Sequence, residues 1–199
     1  MNSPGQVGRF APAAACRKAS LPAESLSERH TRSKRVSDFP KRQFVKFDEI
    51  RKDDALHFVA GKPPTERDLN ILLGKNIDAG RIMAGVTFSS DGNWTSWPPH
   101  EHENMLEEAY LYIDMPAPQW GVQFVYTNAQ EPELVQVVHE GDVVIMPQGY
   151  HPNVAAPGGS INFLWMMAAN REGVDRQFGV VNVQPEYATG GSGLEASQK

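Results

Sequence analysis

Short apolar runs separated by turn-forming residues dominate the chain from Arg81 onward. The turns, such as Asp91-Gly92-Asn93 and Pro157-Gly158-Gly159, combine Gly, which supplies positive φ, with Asn or Pro, which favour turn conformations. No long helical periodicity competes with this pattern. Strands are therefore predicted, and their number and spacing indicate an all-β sandwich or barrel. The predicted strands cover residues 81–89, 106–114, 120–126, 134–138, 142–147 and 160–168.

The first part of the chain is less regular. Residues 44–50 fit either a strand or an entry arm. Residues 1–43 contain too few large apolar side chains to offset the entropy cost of ordering the backbone. We therefore expect a disordered basic tail at 1–43, one folded domain at 44–187 and a second disordered tail at 188–199. A chain of 199 residues is long enough for one well-buried domain and leaves little for a second.

Charge is distributed unevenly along the chain. Residues 1–43 hold nine Lys or Arg against three Asp or Glu, whereas the remainder is acidic and the whole chain has a net charge of -5. The basic stretch lacks interleaved aromatic residues and any recognisable binding motif, and the acidic body would repel phosphates. These features argue against nucleic-acid binding. The tail also has the composition of a transit peptide, although a solvated extension fits it better.

Cysteine content and hydropathy narrow the class of protein further. Cys16 is the only cysteine, so one chain can form neither a disulfide nor a thiolate metal cluster. No apolar run approaches the roughly 18 residues needed to cross a bilayer. The sequence therefore predicts a cytoplasmic protein without membrane spans, in which any metal must be bound by His and carboxylate side chains.

Three histidines and a carboxylate have the spacing of a metal site. His100 and His102 lie two residues apart, so on a strand both imidazoles leave the same face. A carboxylate follows five or six residues later, at Glu107 or Glu108, and His151 comes after a predicted strand and a Pro/Gly turn. These ligand types suit Zn²⁺, Mn²⁺, Fe²⁺, Ni²⁺ or Co²⁺ and do not choose among them. The alternative interpretation is a set of buried, hydrogen-bonded histidines.

The same residues resemble the two sequence motifs of the cupin superfamily. The first motif is His-x-His with a trailing Glu, and the second is Gly-x5-Pro-x-Gly followed closely by His, which here runs from Gly141 to His151. The likeness narrows to the 5-deoxy-glucuronate isomerases of myo-inositol catabolism and, more distantly, to the 5-dehydro-4-deoxyuronate isomerases of pectin breakdown. It covers roughly residues 67–171 and is carried mainly by residues 92–102, 107–112 and 147–152.

The resemblance implies a single cupin (jelly-roll) β-barrel that binds one divalent ion, with Zn²⁺ or Mn²⁺ favoured over Fe²⁺. It assigns His100, His102, Glu108 and His151 as the metal ligands. It also implies an aldose–ketose isomerase that converts a small sugar acid, 5-deoxy-D-glucuronate, into 2-deoxy-5-keto-D-gluconate. The alternatives are an Fe-dependent cupin dioxygenase with the same ligand set and a non-catalytic sugar-binding cupin.

Strand register decides which of the two adjacent acids binds the ion. The usual cupin spacing selects Glu107, whereas alignment with the isomerases selects Glu108. Glu108 shares a strand face with Tyr110 and Tyr112, and Glu107 shares one with apolar residues. We favour Glu108, because a loop tolerates one extra residue more easily than a strand tolerates a flipped register.

The resemblance also suggests residues for the reaction and a need for a partner subunit. Glu107 and Tyr110 are the candidate proton carriers, and Arg81 and Arg171 are the candidate cations for an anionic substrate. Members of the isomerase family usually contain two cupin barrels, whereas this chain has room for one. We therefore expect a homodimer or a larger homo-oligomer, in which a second subunit covers the apolar strand edge predicted at 134–138.

Overall fold

The computed structural model of the chain describes residues 42–188 with the exception of residue 103. The tails expected at 1–43 and 188–199 lie almost entirely outside the described residues. Within the described range, no helix is long and apolar enough to cross a membrane. Nearly all regular structure in this part of the chain is β-strand, as the sequence pattern predicts.

Strands account for almost all of the regular elements between residues 42 and 188. The helix α1 spans Phe47–Ile50, so residues 44–50 include a helical turn rather than a strand, and a 3₁₀ helix spans Pro185–Tyr187. Each of the six predicted strands has a counterpart, and further strands lie among them. The strands are β1 (His57–Ala60), β2 (Arg67–Leu73), β3 (Ile82–Ser89), β4 (Trp94–Thr95), β5 (His100–Glu101), β6 (Leu106–Tyr112), β7 (Gly121–Val125), β8 (Leu134–Val138), β9 (Val143–Met146), β10 (Asn153–Ala155), β11 (Phe163–Ala169) and β12 (Asn182–Val183).

Two antiparallel sheets enclose the interior of a jelly-roll barrel. The larger sheet has the strand order β1-β2-β3-β11-β6-β9, and the smaller sheet has the order β4-β10-β7-β8. Strand β12 pairs with β5. Buried side chains from both sheets form one continuous core. The all-β barrel expected from the sequence is therefore confirmed.

Strand β11 lies between β3 and β6, and its register determines which side chains enter the barrel. Trp165 pairs with Gly85 of β3 on one side and with Tyr110 of β6 on the other. Gly85 is needed because the indole of Trp165 fills the space that a Cβ would occupy. In β6 every second side chain is buried, beginning with Leu106 and Glu108. A carboxylate and tyrosine hydroxyls therefore face a mainly apolar interior.

Candidate metal centre

Two of the predicted ligands come from the short strand β5 and the residue that follows it. The rings of His100 and His102 lie 5.5 Å apart between centroids. His102 is buried and His100 is partly buried. The extended backbone of this segment thus brings both imidazoles to the same site, as their spacing predicts.

Strand β6 and the turn after β9 supply the other two predicted ligands. Oε2 of Glu108 lies 2.9 Å from Nε2 of His102 and 3.0 Å from Nε2 of His151. His151 follows a turn in which Gly149 has a φ of 93°, a conformation that favours glycine. Ring nitrogens of His100, His102 and His151 all lie within 4.8 Å of one another. The four predicted ligands therefore meet at one point in the barrel.

Backbone carbonyls fix the orientation of two of the imidazoles. Nδ1 of His100 donates to the carbonyl oxygen of Pro98 at 2.9 Å, and Nδ1 of His151 donates to that of Gly149 at 2.9 Å. A carbonyl oxygen can only accept, so Nε2 of each neutral ring carries a lone pair. Hydrogen bonds of this kind hold metal-binding histidines in the correct tautomer.

Unsatisfied nitrogen atoms indicate that the centre fits a cation. Nδ1 of His102 is buried without a hydrogen-bond partner among the described residues. Nε2 of His151 approaches Glu108 but lacks the alignment of a hydrogen bond. Leaving buried polar atoms unsatisfied is costly, and a cation would accept imidazole lone pairs. Three imidazoles beside one carboxylate are a donor set that suits a borderline divalent ion.

Electrostatic interactions keep the carboxylate charged and one imidazole neutral. Burial by itself would raise the pKa of Glu108, but the charge of His151 and the hydrogen bond from His102 outweigh burial and hold this pKa well below its ordinary value. Burial, together with the charges of His151 and His102, lowers the pKa of His100 to about 3. At neutral pH, Glu108 is therefore an anion and His100 is a neutral ligand.

A buried amide holds the backbone of His151 in place. Nε2 of Gln123, on β7, donates to the carbonyl oxygens of His151 at 2.9 Å and Pro152 at 3.2 Å. Oε1 of Gln123 accepts hydrogen bonds from Tyr112 at 2.6 Å and Asn153 at 3.1 Å. No sequence motif identifies Gln123, because its contact with His151 depends on the pairing of β7 with β10. The structure makes it a positioning residue for His151.

The two candidate proton carriers lie on opposite faces of β6. Tyr110 is 2% exposed, its hydroxyl lies 2.7 Å from Oγ of Ser96, and its ring stacks on Phe163. Burial and the charge of Glu108 raise the pKa of Tyr110 well above its ordinary value, so the hydroxyl stays protonated. Glu107 is exposed on the outer face of the strand. The structure therefore brings Tyr110 to the centre and places Glu107 outside it.

A cavity with a volume of about 100 Å³ is lined by three of the four predicted ligands, His100, His102 and Glu108. Its walls are mostly apolar, with the hydroxyl groups of Ser96 and Tyr110 among its polar groups. Part of the wall comes from residues between Gln177 and Val183, and β12 holds the end of this segment against β5. The C-terminal part of the described chain thus encloses the cavity next to the histidines.

The cation in this cavity is Arg67 rather than either arginine expected from the sequence. Arg67, on β2, is 5% exposed and lines the cavity. Nη1 of Arg81 instead donates to backbone carbonyls at 2.8 and 3.1 Å, and Arg171 pairs with Asp175 at 2.6 Å. Neither is among the residues that line this cavity in the described part of the chain. The sequence signal for Arg67 is its alternation with apolar residues such as Leu69, which places a cation on an apolar strand face.

Comparisons with known proteins agree with this geometry. A family model described as "KduI/IolB family" matches residues 26–184. A 5-deoxy-glucuronate isomerase from Geobacillus kaustophilus is 36% identical over 117 residues, which cover 55% of this chain and 42% of the relative. One from Shouchella clausii is 39% identical over 101 residues, which cover 47% of this chain and 37% of the relative. The chain thus spans well under half the length of these curated relatives.

A solved structure shares the barrel. An IolB-like protein from Salmonella typhimurium LT2 superposes with a TM-score of 0.59 and 26% sequence identity, covering 66% of this chain and 51% of that chain. The single jelly-roll barrel expected from the sequence is confirmed. Because the family model matches most of the chain and includes the three histidines and Glu108, this chain belongs to the KduI/IolB family.

Proposed function

We propose that this chain is a metal-dependent aldose–ketose isomerase that acts on a deoxyuronate. The proposed reaction is the conversion of 5-deoxy-D-glucuronate into 2-deoxy-5-keto-D-gluconate. The main support is the buried group of His100, His102, His151 and Glu108 beside a cavity, in a chain that resembles curated 5-deoxy-glucuronate isomerases. The reaction moves hydrogen between adjacent carbons and between their oxygens, so no redox cofactor is needed.

The four predicted ligands would hold one divalent ion, with Zn²⁺ or Mn²⁺ as the proposed identity. When bound, the ion supplies a Lewis acid that stabilises negative charge on the substrate oxygens. The protein holds its imidazoles ready for this task, because Pro98 and Gly149 orient His100 and His151 through their carbonyl groups. Little reorganisation is then needed when the ligands engage the ion.

Tyr110 is the proposed proton carrier between the two substrate oxygens. Its hydroxyl holds a proton at neutral pH, because burial raises its pKa. Oγ of Ser96, at 2.7 Å, can replace that proton or receive it, since either hydroxyl can be the donor. The stacked ring of Phe163, with centroids 4.2 Å apart, restricts the position of the phenol. Tyr110 can therefore act as a general acid at a fixed position.

Proton NMR in deuterium oxide tests the proposed function. Purified protein supplied with Zn²⁺ or Mn²⁺ is incubated with 5-deoxy-D-glucuronate, and loss of the aldehyde form and deuterium incorporation next to the new ketone are followed. The proposal predicts conversion that stops after chelation and returns when the ion is restored. Absence of conversion by protein that demonstrably contains the ion would contradict it.

A further inference from the structure

The cavity beside the histidines contains a buried positive charge that the proposed chemistry leaves unused. Arg67 is 5% exposed, and Nη1 donates to the backbone oxygen of Thr65 at 3.0 Å. No ion pair involving Arg67 is formed within the described residues. Glu108 is the acidic side chain that lines the same cavity, and its Oε2 already lies beside two histidines. The guanidinium therefore lacks a carboxylate partner from the described chain.

A buried guanidinium without an anion is unusual, because desolvation of a charge is costly unless the charge is paired. Burial lowers the pKa of Arg67 to about 10, which leaves the group charged at neutral pH. The hydrogen bond to Thr65 uses one of five N–H donors. The remaining donors form a planar fork that matches the two oxygens of a carboxylate.

The placement of Arg67 suits a ligand with two different ends. The imidazoles come from β5, the residue that follows it and the turn after β9, and the hydroxyl of Tyr110 comes from β6. These groups suit the carbonyl of a ligand and the hydroxyl next to it. Arg67 instead belongs to β2. Between β2 and β6 in the larger sheet lie β3 and β11, and apolar side chains such as Leu69 and Phe163 line the cavity there. A carbon chain could pack on these side chains while its polar ends bind elsewhere.

We propose that Arg67 binds the carboxylate of the substrate and so selects sugar acids over neutral sugars of the same length. The identity of the substrate rests on the proposed isomerase function, whereas the preference for a carboxylate rests on Arg67 and the cavity. Arg67 is thus a specificity-determining residue on β2, and it orients the carbonyl end of the ligand toward the histidines.

A structural role for Arg67 makes a different prediction. If its purpose were only to anchor the loop at Thr65, its replacement would lower stability and would affect acidic and neutral ligands alike. Arg67→Gln keeps an amide that can donate to Thr65 but removes the charge, and Arg67→Lys keeps the charge but removes the fork. Arg81→Gln and Arg171→Gln are matched controls, because both remove a guanidinium that does not line the cavity.

Binding calorimetry on the ion-loaded full chain tests the proposal with two ligands. One is 5-deoxy-D-glucuronate, and the other is 5-deoxy-D-glucose, in which a hydroxymethyl group replaces the carboxylate. Wild-type protein should bind the acid more tightly, and Arg67→Gln should weaken acid binding by about 10- to 100-fold while changing neutral-sugar binding little. Arg67→Lys should restore part of the preference, and the two control variants should retain all of it.

The outcomes separate this proposal from the proposed function. Equal binding of the two ligands by wild-type protein, or an equal effect of Arg67→Gln on both, would overturn the role of Arg67 even if isomerisation is observed. A wild-type preference for the acid that Arg67→Gln removes would support the role of Arg67 even if no isomerisation is observed. Circular dichroism and the melting temperature establish that each variant is folded before binding is compared.

Discussion

Strand β6 carries one glutamate on its outer face and one on its inner face, and the two side chains have different surroundings. Glu107 is exposed to solvent, whereas Glu108, the next residue, is 3% exposed and lies within 3.0 Å of two imidazole nitrogens. Both residues follow the His-x-His pair at a spacing that would serve a metal site. Their difference shows that the chemistry of a side chain in this barrel is determined by strand face and register, and not by residue type alone.

Among the inner-face residues of β6 that are not proposed metal ligands, Tyr110 is the one whose replacement should lower activity most. Tyr110→Phe removes the hydroxyl that carries the proton and keeps the ring that stacks on Phe163. The isomerisation rate should fall by about 100-fold or more, the range typical of a lost general acid. Metal content should stay unchanged, because the tyrosine is not among the proposed ligands. Stopped-time NMR assays and elemental analysis of the same samples provide the two measurements.

Tyr187→Phe is the control for this prediction, because the side chain of Tyr187 is 42% exposed and lies outside the cavity lining. It should leave the rate unchanged. A Tyr110→Phe variant with wild-type activity would show that Tyr110 only packs against the core, and the contrast between the faces of β6 would then concern Glu108 alone.

A smaller effect is expected for Gln123, the residue on β7 that holds the backbone of His151 in place. Gln123→Leu removes the side-chain donor to the carbonyl group of His151 and the acceptor of the Tyr112 hydroxyl. The carbonyl group of Pro152 keeps the backbone N–H of Phe124 as a donor. We expect a loss of about 1–3 kcal/mol in unfolding free energy, the cost of leaving buried polar groups unsatisfied. Metal affinity should fall by about 10- to 100-fold, as it does when outer-shell partners of ligands are lost.

Gln136→Leu is the matched control for Gln123→Leu. Gln136 is the register partner of Gln123 on β8, but it is exposed. Denaturant unfolding and competitive chelation, both at a temperature where each variant is folded, separate stability from affinity. Loss of stability with unchanged metal affinity would limit Gln123 to a structural role and remove its influence on His151.

The smallest effect on the centre is expected from changes to the exposed edge strand β8. Val135 and Val137 are 54% and 45% exposed on this edge of the smaller sheet. We expect a homodimer or larger assembly in which this edge is covered. Replacing both valines by Asp should give monomers in light scattering, with metal content unchanged. Val59→Asp, on the exposed β1 edge of the larger sheet, should preserve the assembly. Monomeric wild-type protein at micromolar concentration would contradict this prediction.

Local sequence patterns predicted much of the barrel and the core of the centre. The His-x-His pair depends only on neighbouring residues, so the shared face of His100 and His102 could be inferred directly. Alternation along residues 106–112 predicted a strand with two distinct faces, but it did not by itself show which face points inward. The choice of Glu108 rested on the resemblance to the isomerases and on the tolerance of the loop for one extra residue, because strand parity only separates the two acids. The order of strands in the two sheets was not available from any local pattern.

The residues that sequence reasoning missed depend on pairings between distant segments. Arg81 and Arg171 flank the motif-bearing region in the sequence, but Arg67 reaches the cavity because β2 pairs with β3 in the larger sheet. Gln123 contacts His151 because β7 pairs with β10. These long-range registers are fixed by packing of the whole barrel. Local alternation places Arg67 on an apolar strand face, but it does not show that this face meets the histidines.

The metal content of Glu107→Gln and Glu108→Gln tests the central claim most directly. Both variants replace a carboxylate with an amide of nearly the same shape, on adjacent residues of one strand. After purification with Zn²⁺ or Mn²⁺ and removal of free ions, elemental analysis should find wild-type occupancy in Glu107→Gln and a large loss of the ion in Glu108→Gln. Full occupancy in Glu108→Gln, or loss of the ion only in Glu107→Gln, would contradict a metal centre on the inner face of β6.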